Sequence, residues 1–80
     1  MTGEFAPIGL YNGKLQWKHR TLSYWLSFLF AYSTYFITDD PDPDAEESTV
    51  LWSADITSPH ASGTYYPLVG ATGTPTVTLT

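Results

Sequence analysis

The sequence predicts a single small all-β domain: an antiparallel meander, barrel or sandwich of about six short strands. Three observations carry this reading. No stretch of ten residues keeps a 3.6-residue apolar period. The uncharged block 21–38, TLSYWLSFLFAYSTYFIT, steps with a period of two over Tyr24, Leu26, Phe28 and Phe30 against Trp25, Ser27, Leu29 and Ala31. Turn-forming residues punctuate the chain at short intervals, at Asn12-Gly13, Ser58-Pro59, Gly63 and Gly70 to Gly73.

The elements follow in order. Gly3, Pro7, Gly9 and Gly13 oppose a helix in the first fifteen residues. Residues 1–7 are expected to form an N-terminal arm. Ile8 to Tyr11 and Leu15 to His19 flank Asn12-Gly13, a hairpin signal because both turn residues tolerate positive φ. Two strands are expected inside the central block, joined at Tyr32-Ser33-Thr34 and ending in Tyr35 to Thr38. The run DDPDPDAEE, 39–47, holds six acids and two prolines, so it reads as a solvated loop. Val50 to Ala54, Thr64 to Tyr66 (ended by Pro67) and Thr76 to Thr80 complete the strands. The expected core is Trp17, Leu26, Phe28, Phe36, Ile37 and Trp52.

As a helix, the block 21–38 would approach the lower length limit of a membrane span, with Lys14, Lys18 and Arg20 before it. Seven Ser, Thr or Tyr side chains lie between Leu22 and Ile37. The aromatics run through the middle of the block, where a membrane belt would place them at its ends. Strands are therefore preferred, and a holin-like membrane protein is the third functional alternative.

Eighty residues form one domain with a marginal core. Cysteine is absent, so disulfides and thiolate metal sites are excluded. Three Trp, six Tyr and four Phe are then the available core material, each able to bury about 150–250 Å². A net charge of −5 with three basic residues argues against binding nucleic-acid backbones. No secretory signal pattern opens the chain, which begins at Met1 and is expected to be a complete small gene product.

Few residues point to chemistry. Asp40, Asp42, Asp44 and Glu46 alternate like Ca²⁺ ligands, yet the EF-hand glycine and terminal glutamate are missing. A solvated loop is preferred, and no cofactor is expected. His19 between Lys18 and Arg20 could mark a small basic spot that docks an acidic neighbour, and a hairpin end with ordinary solvated charges is the preferred reading. Asp55 and His60 near Trp52 are read as loop residues, and no catalytic residue is assigned. Trp17, Trp25, Trp52, Tyr65 and Tyr66 are candidates for a sugar-stacking platform, which makes a carbohydrate-binding or adhesin module the second alternative.

The order of Tyr11-Asn12-Gly13-Lys14 with Trp17, Tyr24-x-Leu26, Tyr35 to Thr38, Leu51-Trp52-Ser53, Gly63 to Pro67 and Gly70 to Val77 resembles small bacteriophage virion accessory and tail-fibre proteins. The turn at 31–34 and the segment 59–63 depart from that pattern. The resemblance implies a non-catalytic virion component, such as a capsid decoration protein or a tail or fibre accessory. It implies virion structural proteins as partners, with a trimer favoured. From composition, self-association is expected, because the aromatic content exceeds what a small monomer easily hides. Between residue 1 and Lys14 the one charge is Glu4, and none follows Asp55. Phe5, Pro7, Ile8, Val77 and Leu79 are the expected contact residues. Removing either terminal segment is expected to weaken assembly before unfolding.

Overall fold

The computed structural model describes residues 2–11, 13–29, 32–42, 49–54, 61–68 and 70–80. Among them the chain is all-β: β1 Gly3–Tyr11, β2 Lys14–His19, β3 Trp25–Leu29, β4 Thr34–Thr38, β5 Val50–Ser53, β6 Gly63–Thr64, β7 Tyr66–Pro67 and β8 Thr76–Leu79. One sheet holds them in the order β6-β8-β1-β2-β3-β4-β5-β7. The two edge strands, β6 and β7, are a single residue apart in the chain. The run 63–67 therefore pairs with β8 at its start and with β5 at its end, and the sheet curls into a nearly closed barrel.

Counting that run once, the ring has seven strands. Directions around a ring can alternate fully only if the number is even, so one neighbouring pair must be parallel. That pair is β1 and β8, with Gly3, Glu4 and Phe5 opposite Val77, Thr78 and Leu79. All other pairs are antiparallel. The expected antiparallel meander thus holds except at its seam.

The central block is the hairpin β3–β4, in the register Leu26↔Ile37 and Phe28↔Tyr35. Ser33 turns it at φ 53°; Phe30 and Ala31 lie outside the described residues. No described helix is long and apolar enough to cross a membrane. The first hairpin is also present, with Gly13 at φ 83° and Asn12 outside the described residues.

The expectation of a free N-terminal arm is corrected, because β1 begins at Gly3. The strand character of its first half is hidden by Gly3 and Pro7. The ladder with β8 ends at Phe5, where the Thr80 amide donates to the Phe5 carbonyl. Pro7 therefore sits where no second neighbour needs its missing N–H. Gly9 takes φ 140° at a bulge in the pairing with β2. The terminal strand is likewise part of the ring. Phe5 and Val77 are core residues, so losing either segment opens the barrel. Pro67 is the last residue of β7 and pairs there with Trp52.

A small barrel is filled by its own side chains. Here the filling is Phe5, Leu26, Ile37, Trp52, Ala54, Tyr65 and Val77. Tyr24 closes over Trp52 edge-to-face at 5.5 Å. Trp17 and Phe28, expected in the core, are half-buried. Phe36 is buried, but on the outer face, beside Ser27 in the register.

Tyr65 seals the ring. Its side chain is wholly buried, its amide donates to the Pro75 carbonyl at 2.8 Å, and its hydroxyl donates to the Ala61 carbonyl at 2.8 Å. Burial, with a smaller contribution from Tyr35, pushes the phenol far above its ordinary pKa of 10.0. The folded protein thus keeps a proton that the unfolded chain releases above about pH 10, and stability falls from there upward by as much as about 1.4 kcal/mol per pH unit. Thermal melts between pH 9 and 12 are expected to show this decline. Tyr65→Phe is expected to flatten it by about one proton, while costing about 1 kcal/mol at neutral pH for the lost hydrogen bond. Identical pH slopes in the two proteins would contradict this.

Candidate functional site

The polar candidates are absorbed by the fold. His19 is buried, so it is neither a basic surface spot nor part of an ordinary solvated hairpin end. Its Nδ1 accepts from the amides of Thr21 and Leu22, both at 3.1 Å. Its ring meets Phe5 edge-on at 5.1 Å. Its Nε2 is buried without a partner among the described residues and lies where a Cβ on Gly3 would collide with it. Only glycine at position 3 leaves room for this imidazole against β1.

The neighbouring cations are tethered as well. Arg20 donates to the Thr80 hydroxyl at 2.8 Å and lies 3.5 Å from Glu4, a solvent-screened pair of small worth. Lys18 donates to the His19 and Leu22 carbonyls and lies 5.4 Å from the Trp25 ring centroid.

The start of the acidic loop is held down on the outside of the barrel. Gln16 is buried on the outer face of β2, and its Nε2 donates to Ser27 Oγ at 2.9 Å and to the Pro41 carbonyl at 2.6 Å. The Asp39 carboxylate accepts from the Thr49 amide at 2.7 Å, and Asp40 accepts from the Asp42 amide at 2.9 Å. Residues 39–42 thus cover part of β2 and β3, and both faces of the central strands are buried. Asp44 and Glu46, the remaining members of the proposed Ca²⁺ series, lie outside the described residues, as do Asp55 and His60. No group of three potential metal ligands occurs among the described residues.

The sugar-platform candidates do not share one surface. Trp52 and Tyr65 are buried inside the barrel. Trp17 stands on the face shared with Leu26, and Trp25 on the opposite face of the sheet. Tyr66 is exposed on β7. A different aromatic group forms at one mouth of the barrel. The Tyr35 ring lies 4.9 Å from Phe28 and 6.3 Å from Trp17. Lys14 Nζ is 5.0 Å from the Phe28 ring centroid.

Two exposed apolar surfaces remain. The first is the β1–β2 hairpin, where Ile8, Leu10 and Leu15 are 51, 70 and 48% exposed. Leu10 faces Leu15 across the ladder, and Leu15 precedes Trp17 by two on one face, so the patch adjoins the aromatic mouth. Of the expected contact residues, Ile8 belongs to it and Pro7 lies beside it, exposed. Leu79 is half-buried at the seam, and Phe5 and Val77 are inside. The second surface is an apolar groove of about 280 Å³ on the outside of the barrel, lined by Leu29, Tyr32, Phe36, Val50 and Leu68.

The exposure of Leu10 and Leu15 was not read from the sequence: it arises because the hairpin tip outruns β3, whose ladder with β2 holds, among the described residues, Trp17 and Lys18 alone. The groove had no sequence signal, because its lining comes from the β3–β4 hairpin, from Val50 and from Leu68. No family model, curated protein or solved structure matches the chain.

The Gln16 tether generates a test. Gln16→Ala leaves the Ser27 hydroxyl and the Pro41 carbonyl without their buried donor, a loss of about 1–3 kcal/mol. Chemical denaturation is expected to show that loss, with increased amide exchange at Asp42. Unchanged stability and exchange would mean the amide does not fasten the loop.

Proposed function

We propose that this chain is a non-enzymatic structural module that works by self-association and by docking on a larger assembly, as a small bacteriophage virion accessory does. The exposed apolar hairpin carries the proposal. Ile8, Leu10 and Leu15 stand on one short hairpin, and Lys14 is the single charge between Phe5 and Trp17. Exposed apolar side chains grouped in this way mark partner surfaces, whereas scattered ones do not.

The fate of the histidine supports the non-catalytic part. His19 is committed to backbone amides on one side and packed against β1 on the other, so it has no open nitrogen to offer a substrate. The virion setting and a three-fold assembly rest on the resemblance in motif order.

Light scattering on the purified protein tests the proposal. The expected particle mass is a small multiple of 8.9 kDa at micromolar concentration. Leu10→Lys is expected to shift the particle toward the monomer with an unchanged circular dichroism spectrum, because that side chain is mostly in solvent. A monomeric parent, or an assembly indifferent to Leu10→Lys, would refute self-association through the hairpin.

A further inference from the structure

We infer that the hairpin of one copy seats in the outer groove of the next, so that copies associate head to tail. This rests on the self-association reading above and names its second surface. The hairpin cannot fill the groove of its own chain. Leu15 lies on the same face of the sheet as Trp17, which pairs with Leu26 in the barrel register. Leu29 and Phe36 lie on the opposite face, in register with Thr34 and Ser27.

Size and charge both fit a second copy. The groove volume of about 280 Å³ is close to twice the ~150 Å³ apolar cavity that holds one benzene. It therefore has room for two leucine-sized side chains, and the hairpin presents Leu10 directly beside Leu15. None of the groove's lining residues is charged. At its Val50 end stands Asp39, whose carboxylate is fixed on the amide of Thr49. At the tip of the hairpin stands Lys14, next to Leu15 and opposite Tyr11. Apolar docking would thus carry the hairpin's one cation toward an acidic rim, on a chain of net charge −5 that otherwise repels itself. Because the two surfaces differ, the contact is heterologous. It closes into a ring if the rotation permits and otherwise runs on as an open chain.

Mixing variants tests this geometry. A hairpin variant carries Leu10→Lys and Leu15→Lys. Two groove variants carry Leu68→Lys or Tyr32→Lys, both at exposed positions. Each variant is checked for the parental near-UV spectrum and then sized by sedimentation equilibrium. Each alone is expected to associate at least tenfold more weakly than the parent. An equimolar mixture of the hairpin variant with a groove variant is expected to form a 1:1 heterodimer and nothing larger, because one intact hairpin meets one intact groove. Groove variants that assemble like the parent, or a mixture that stays monomeric, would overturn the inference while leaving self-association standing. A parent that is itself monomeric would overturn both.

Discussion

Closure of the sheet at Tyr65 is the constraint on which the other features depend. A seven-strand ring of this size has no second layer large enough to stabilise an open edge. The run 63–67 is short, and it serves two edges by splitting its pairing at one residue. The residue at the split must therefore bring area, and Tyr65 fills the interior with the largest of the wholly buried side chains. Its hydroxyl reaches the Ala61 carbonyl, so the phenol is buried with its hydrogen bond made. The parallel seam between β1 and β8 is a geometric consequence of the same closure, since an odd ring must contain one parallel pair.

Burial on both faces of β2 to β5 is the second consequence of small size. The interior takes Leu26, Ile37 and Trp52, while Gln16, Ser27, Phe36 and Thr38 on the outer face are also buried. Part of that cover is the beginning of the acidic loop, held by the Gln16 amide at the Pro41 carbonyl. Asp39 and Asp42 are exposed, and the base of the loop is fixed where the Asp39 amide donates to the Thr49 carbonyl and the Thr49 amide donates to the Asp39 carboxylate. Residues 39–42, three of them acids, thereby shield part of β2 and β3. The outer surface left uncovered by residues 39–42 includes the groove at Leu29, Phe36 and Val50.

Much of the strand framework was legible in the residues. The alternation from Tyr24 to Phe30 gave the β3–β4 hairpin, and Asn12-Gly13 marked the first turn. What escaped was whatever depends on neighbours distant in sequence. Residues 1–7 read as an arm because the tolerance of Pro7 comes from the end of β8, and nothing local announced the bulge at Gly9 against β2. The uncharged ends read as partner surfaces, although a chain's own barrel seam asks for the same composition. Gln16 alternated to the polar side of its strand, and nothing local announced that a loop 25 residues later would cover it. The proposed interaction surface accordingly lies on the exposed hairpin and the groove, and not at the termini.

If closure at Tyr65 holds the ring as one unit, opening at the seam and opening at the closing run are the same event. Native-state hydrogen exchange measures this directly. The amides of Tyr65, bonded to Pro75, and of Leu68, bonded to Leu51, report on closure, and the amide of Thr80, bonded to Phe5, reports on the β1–β8 seam. In low denaturant, the Tyr65 and Leu68 amides are expected to exchange with the free energy of global unfolding, together with amides of the β3–β4 hairpin. A closing run that exchanges several kcal/mol below a still-protected β3–β4 hairpin and β1–β8 seam would show that the ring stands without Tyr65, and would contradict the account.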